Sequence, residues 1–370
     1  MRLWHQKQSD RIYRPPTASE LITRSVYSGR RMIDESITTT LPSFIRTGDT
    51  YFNEKLLHIN AMIREYRLPS LFITLTAAES KWTHLKDILK STDNGNAIST
   101  NRLLHTSLHF IHRKKELWNH IWKKPANSNW GYLIHFFERI EFQNRGAPHT
   151  HSILWVEKTI DEMIAENVIR STLPNPELEP ELYQLVINHQ IHTCNPRKCG
   201  GPMPPGQMCK KNFPRPYSLS TYYKAEESRY VYQCITEQDR WVVPYHAPTL
   251  LIWNAHINAQ YVSTKGLGKY LSKYVVKSEP SHVFNISEGD KYHEHVVARR
   301  LSSMECMFLL LGEPICNSSV QVKYLPTEPP TTRSRAIRPL STISDNDDDP
   351  YWKDAIEKYL HVHMLNSLTI

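Results

Sequence analysis

Glu141, Gln143, His149 and His151 all fall at odd positions, and each can offer a lone pair to a metal ion. They sit in two apolar runs, "FERIEFQ" and "HTHSILWV", joined by Asn144–Pro148. Side chains alternate across a strand, so equal parity means a shared face. With the turn at Asn144–Pro148, Gln143 pairs with His149 and Glu141 with His151, at ~5 Å between Cβ atoms. Arg145-Gly146 then supplies the sharp backbone, and Pro148 stands at a strand start, where its missing N–H costs little. Two imidazoles with a carboxylate or amide oxygen suit a divalent cation that keeps open positions for a substrate oxygen. Hard Mg²⁺ or Mn²⁺ prefers the carboxylate, so Glu141 ranks ahead of Gln143. Strand histidines satisfied in an ordinary core are the competing reading; the register of all four groups sets the metal reading level with it.

A second set lies in "KGLGKYLSKYVVKS". Tyr270 and Tyr274 are one helical turn apart and share a face with Leu267 and Leu271. Lys269, Lys273 and Lys277 run up the flank of that face, and such like-charge spacing is unfavourable unless a polyanion answers it. A lysine beside a phenol favours phenolate, the form that attacks phosphorus. An amphipathic core helix with solvated lysines is the rival reading. "GLGK" is not a nucleotide-binding P-loop, because Ser263 and Tyr270 occupy the positions that motif reserves for Gly and for Ser or Thr.

The third set is His192, Cys194, Cys199 and Cys209, in a segment of residues 192–217 too rich in Pro and Gly for regular structure. Four N/S ligands suit a tetrahedral structural Zn²⁺, which could hold such a loop without a core. Plain thiols are the alternative, since the spacing is looser than in familiar zinc modules. Lys210, Lys211 and Arg215 nearby could touch phosphate with or without metal.

The elements that must position these groups follow from pattern. "LFITLT" (71–76) alternates β-formers and reads as a buried strand. Leu103, Leu104, Leu108, Ile111, Trp118, Ile121 and Trp122 give helical spacing over Ser99–Lys124. A helix is expected around "TIDEMIAENVIRSTL" (159–173), then a Pro-rich loop from Pro174. "SRYVYQCI", "RWVVPY", "TLLIW" and "HINAQYV" read as strands, and "KYLSKYVVKS" as a helix. Residues 1–50 read as a polar arm, 51–290 as the main domain with 192–217 as an insertion, and 291–370 as an extension and linker.

The net charge of +8 favours a polyanionic partner. No run approaches the ~20 apolar residues of a membrane span, and the start lacks a signal-peptide core. That leaves no membrane partner expected, and six cysteines kept as thiols or ligands.

Taken in order, these pieces resemble the Rep region of Helitron rolling-circle transposases, the Helitron helicase-like N-terminal domain. "IEFQNRGAPHTHSILW" looks like its histidine motif, "RWVVPYHAPTLLIWNAHINAQ" like its next block, and "KYLSKYVVKS" like its two-tyrosine motif. "LPSLFITLTAAESKW" and "ARRLSSMECMFLLLGEPI" match segments upstream and downstream, so the resemblance runs from about Asp49 to the C terminus. It implies an α+β fold, a mainly antiparallel central sheet flanked by helices, of the HUH (His-hydrophobic-His) endonuclease type. The activity implied is cleavage and transfer of single-stranded DNA at transposon ends. His149, His151 and Glu141 or Gln143 would hold Mg²⁺ or Mn²⁺, and Tyr270 and Tyr274 would act as nucleophiles through a 5′-phosphotyrosine link. Lys273 would assist at phosphate, with Lys269, Lys277 and Arg145 contacting DNA. Family members continue into a helicase; here the chain ends first, which implies truncation or a helicase encoded elsewhere. Nuclear location follows from a eukaryotic transposon origin. The chain departs from the pattern at Thr150, at "TAAESKW" in place of Thr-Cys-Asn-Pro, and at Gln260 in place of an acidic residue. Two rival functions stay open: a transposon-derived DNA-binding remnant without turnover, and a metal-dependent hydrolase that activates water.

Overall fold

In "LFITLT" every second side chain is buried: Leu71, Ile73 and Leu75 lie in the core, while Phe72, Thr74 and Thr76 are partly exposed on the opposite face. That alternation organises the whole central sheet. The structure, a computed structural model, describes residues 49–92, 99–142, 147–202, 204, 206–264, 267–268, 271 and 302–323, with a few isolated positions between 338 and 358. Its strands are β1 (Leu71–Thr76), β2 (Leu133–Phe142), β3 (Pro148–Val156), β4 (Ile169–Arg170), β5 (Tyr222–Lys224), β6 (Arg229–Val231), β7 (Tyr245–His246), β8 (Ile257–Tyr261) and β9 (Cys316–Ser318). Five of them form one sheet in the order β8-β1-β3-β2-β9, with every neighbour antiparallel. Two short antiparallel ribbons, β4 with β7 and β5 with β6, lie outside it. The fold is α+β, as the sequence implied.

The helices that bear on the sheet are α1 (Asp49–Tyr66), α2 (Thr83–Thr92), α3 (Ser99–Leu117), α4 (Ile160–Ala165), α5 (Pro180–His189), α6 (Ala247–Trp253) and α7 (Ser303–Leu310). One face of the sheet packs on α1: Ile59 and Met62 meet Phe137, Ile153 and Trp155. Val262, Leu267 and Leu271 belong to the same cluster. The opposite face meets α3, α6 and α7. Glu138 takes a 2.7 Å ion pair from Lys114 and a hydrogen bond from the Trp118 indole, and Phe308 sits against both Phe110 and Phe142. With both faces covered, every residue of β3 is buried. Ile153 is fully buried, so truncation to Ala should cost ~2–5 kcal/mol.

Several expectations need correction. The hairpin register is Glu141 opposite His149 and Arg139 opposite His151, with Phe142 opposite Pro148. The connection is therefore one residue nearer the N terminus than Asn144–Pro148. Pro148 opens the strand, the one place in a central strand where its missing donor is tolerated. "TLLIW" is not a strand: it lies in α6, where Thr249, Leu250 and Trp253 are buried at helical spacing and Pro248 occupies the first turn. Of "RWVVPY", Trp241 lies in a 3₁₀ turn and only Tyr245 enters a strand. The helix expected over 159–173 ends early, because α4 stops at Ala165 and Asn167 turns the backbone to φ 52°. The region read as a Pro-rich loop contains α5, started by Pro180 and anchored by Leu182, Leu185 and Val186. The polar arm to residue 48, most of the C-terminal helical pattern and the helix read at "KYLSKYVVKS", apart from Leu271, lie outside the described residues. Among the described residues no helix is long and apolar enough to cross a membrane.

Candidate metal-binding face and cysteine loop

Parity survives the corrected register. A shift of two in the pairing sum leaves each side chain on its face. His149, His151 and Glu141 therefore share the face of the sheet that carries Phe137 and Ile153, while Thr150 lies on the other, in line with Ile140 and Leu75. From β1, Thr76 lies opposite His149 and Thr74 opposite His151. Glu141 reaches diagonally, and its Oε2 lies 2.8 Å from His151 Nε2. On the far side of that ring, Nδ1 lies 3.2 Å from Thr74 Oγ1. His149 donates from Nδ1 to the Ala147 carbonyl at 3.3 Å, which directs the lone pair of neutral imidazole to Nε2.

The electrostatics suit cation binding. Both histidines are nearly buried, at 9% and 3% exposure. Burial lowers the His149 pKa against the raising effect of its bond to Ala147, so the ring is neutral and basic at Nε2 near pH 7. Burial also pushes Glu141 up, but the hydrogen bond from His151 and the charges of His151, Arg139 and His149 outweigh it and leave the carboxyl below its ordinary value. Arg139 lies opposite His151 on the same face, its guanidinium 3.9 Å over the Phe52 ring. Gln143 and Arg145 lie outside the described residues, as do Lys269, Tyr270, Lys273, Tyr274 and Lys277. Leu267 and Leu271, which bracket Tyr270 in sequence, pack in the cluster on the histidine face.

The cysteine loop is gathered more tightly. Among the described residues, His192, Cys194, Cys199 and Cys209 are the one group of three or more His, Cys, Asp or Glu whose ligand atoms all lie within 4.8 Å of one another. His149, His151 and Glu141 do not meet that closeness. His192 Nε2 lies 3.6 Å from Cys194 Sγ and 3.5 Å from Cys209 Sγ. Bond lengths of ~2.3 Å to sulfur and ~2.0–2.1 Å to nitrogen at a tetrahedral angle give an N–S edge of about 3.5 Å, so the donor set fits such an ion. Backbone N–H groups aim at the sulfurs, Asn195 at Cys199 (3.2 Å) and Lys211 at Cys209 (3.4 Å). The bond from Asn195 holds the Cys199 thiol below its ordinary pKa, whereas burial and the neighbouring thiols push Cys194 up to about 11. A Cβ on Gly201 would come within 2.9 Å of Cys194 Sγ, so glycine is needed there for the chain to pass. Phe213 stacks on the His192 ring at 4.3 Å and packs with Cys199 and Cys209. Arg215, one of three cations read as phosphate contacts, instead donates to the Ser171 and Asp239 carbonyls, which ties the loop to the main domain.

Three contributors escaped the sequence reading. Thr74 orients His151, Arg139 biases Glu141, and His256 adds a third imidazole that acts electrostatically on His149. His256 donates from Nδ1 to the His189 carbonyl at 2.8 Å. Only Thr74 left a signal: Thr74 and Thr76 recur on one side of an otherwise apolar strand.

Residues 23–154 match the family model described as the Helitron helicase-like domain at the N-terminus. The matched range takes in β1, β2 and most of β3 with both histidines, and stops before the cysteine loop and before Tyr270. None of the curated proteins matches the chain. A Helitron-like domain relates the chain to transposon proteins and to nucleic acid.

Proposed function

We propose, from the premise that residues 23–154 are a Helitron helicase-like N-terminal domain, that this chain is a metal-dependent endonuclease and strand transferase acting on single-stranded DNA. The observation that carries the reading is a shared face: His149, His151 and Glu141 lie on the side of the sheet where Leu267 and Leu271 pack, and Leu271 is next in sequence to Tyr270.

A Mg²⁺ or Mn²⁺ ion held by His149, His151 and Glu141 would polarise the scissile phosphate. Were His151 Nε2 to turn from Glu141 to an ion, the ring proton would sit on Nδ1, where Thr74 Oγ1 at 3.2 Å would accept it and keep the ring oriented. The Tyr270 hydroxyl oxygen attacks phosphorus. A new P–O bond forms as the bond to the 3′-oxygen breaks, and the phenol proton ends on that departing oxygen. The products are a 5′-phosphotyrosine and a free 3′-hydroxyl. Lys273, three residues after Tyr270 and next to Tyr274 in sequence, favours the phenolate. Tyr274 serves the second cleavage or the rejoining. Positioning and electrostatics supply most of the rate, as is usual at phosphorus. A zinc ion in the cysteine loop has a structural role.

Labelled single-stranded DNA incubated with the chain and Mn²⁺, then run on a denaturing gel, tests this. A covalent protein–DNA adduct is expected, lost when Tyr270→Phe and Tyr274→Phe are combined. Cleavage that persists in that double variant without adduct contradicts the tyrosine chemistry and favours activated water. Binding without any cleavage, in every form tested, favours a remnant.

A further inference from the structure

A cavity of about 840 Å³ opens between the cysteine loop and the β8 edge of the sheet. One wall carries Lys198, Lys210 and Lys211 of the cysteine loop, all exposed. The floor carries Asn258 and Gln260 of β8, which lie in register with Thr74 and Phe72 and so share the face of His149 and His151. Tyr230 of β6 stands on the third side.

The chemistry of these walls differs from that of an ordinary surface cleft. Among the described lining residues there is no Asp or Glu to offset the lysines. Two lining arginines are committed to the fold: Arg215 to backbone carbonyls, and Arg229 to an ion pair with Glu227. No side-chain hydrogen bond or ion pair ties the three lysines to another described residue, which leaves their ammonium groups for a ligand. On the floor, Gln260 Nε2 donates to Asn258 Oδ1 at 3.1 Å. That bond leaves the Gln260 carbonyl as acceptor and the Asn258 amide N–H as donor, the pair of functions that base edges answer. Tyr230 extends an aromatic array, with Tyr223 at 5.1 Å and Tyr261 at 5.4 Å between ring centroids. Cations on one side, amides below and a cluster of tyrosine rings opposite are the parts of a site for unpaired nucleotides. The volume falls within the ~300–1,000 Å³ of small-molecule sites, enough for a short run of nucleotides and too little for a duplex.

We infer that this cleft seats a single nucleic-acid strand, its phosphates against the lysines of the cysteine loop and its bases toward Asn258, Gln260 and Tyr230. Leu267 also lines the cavity, so the bound strand would run toward the segment that continues into Tyr270. This site rests on the nucleic-acid reading above but not on the tyrosine chemistry.

The test is fluorescence anisotropy of a labelled oligothymidylate with the full chain, without added Mg²⁺ or Mn²⁺, over a series of salt concentrations. The variant combines Lys198→Gln, Lys210→Gln and Lys211→Gln, and its zinc content and melting temperature verify the fold. Affinity should fall by at least about ten-fold, and the slope of log affinity against log salt should become shallower by about 2, at ~0.7 for each phosphate no longer neutralised. Unchanged affinity and slope overturn the proposal. So does equal displacement of the oligomer by the mononucleotide at matched phosphate concentration, which marks a small-anion site, and so does equally tight binding of a duplex. If wild type forms no adduct while the triple variant still loses affinity, the cleft stands and the catalytic reading falls. If the adduct forms but the variant binds like wild type, the reverse holds.

Discussion

His149 and His151 hang from a strand buried along its whole length, whereas His192, Cys194, Cys199 and Cys209 hang from a segment whose regular structure is one helical turn, Pro196–Cys199. Both sets carry metal-ligating atoms, yet they are held in different ways. A hydrogen-bonded ladder on both sides of β3 sets the spacing of the first set before any ion arrives. In the second, a small cluster of Cys199, Cys209 and Phe213 and a few backbone bonds do the holding, and an ion at the ligand atoms would be part of the fold. On the proposed reading, a metal on the sheet face would serve chemistry on a finished scaffold, whereas a metal in the loop would finish the scaffold.

The largest effect that could break this contrast is loss of the ion from the loop. Structural zinc in small peptides contributes ~10–16 kcal/mol. Zinc stripping, or Cys199→Ser, should abolish stoichiometric zinc by elemental analysis and open residues 192–217 to protease, with the sheet signal in circular dichroism retained. A loop equally resistant with and without zinc would place both sets in the same category. On the other side of the comparison, His149→Ala should reduce adduct formation by at least about 100-fold. Its cost in stability should be modest, about 1–3 kcal/mol, from the bond to Ala147, its side-chain hydrogen bond among the described residues, and from the buried ring. A large drop in melting temperature there would mean that this histidine, too, holds the fold together.

A finer probe is Thr74→Val, which removes the partner of His151 Nδ1 and keeps the shape. Divalent-metal affinity should weaken about 10–100-fold, the usual cost of losing such support, as read by Mn²⁺ titration. The smallest effect separates ligand histidines from structural ones. His246 is fully buried, with Nδ1 at 2.8 Å from Thr249 Oγ1 and Nε2 at 2.8 Å from the Ser128 carbonyl, and burial pushes its pKa down to about 3. The fold holds it neutral, while the unfolded chain takes up a proton below ~6.5. Its contribution is therefore intact above pH 6.5 and is lost as pH falls toward 3. Between pH 7 and 5.5 the loss should be about 1 kcal/mol in denaturant melts, and smaller in His246→Gln.

How much was readable in advance depended on whether a local period carried the information. Strand parity has period two, so the common face of Glu141, His149 and His151 could be read from numbering alone. The pairing partner could not, because Pro148 is at home both at the end of a turn and at the start of a strand. Bulky apolar runs misled: Leu250, Leu251, Ile252 and Trp253 suit a strand by composition, yet Pro248 and the burial of Thr249, Leu250 and Trp253 make a helix. Prolines were read as loop from Pro174 onward, although Pro180 starts α5. Long-range support was invisible, since Thr74 meets His151 only through the pairing of β1 with β3, and His256 arrives from beside β8. The cysteine loop was the opposite case: its candidate ligands lie close in sequence, and the structure brings all four together.

The most direct measurement is a Mn²⁺ binding isotherm by electron paramagnetic resonance on three full-length proteins: wild type, the combined His149→Ala and His151→Ala variant, and Cys199→Ser. One tightly bound Mn²⁺ is expected in wild type and in Cys199→Ser, and none in the histidine variant. Equal binding in the histidine variant, or loss of Mn²⁺ only with Cys199→Ser, contradicts the assignment of the divalent cation to the sheet face.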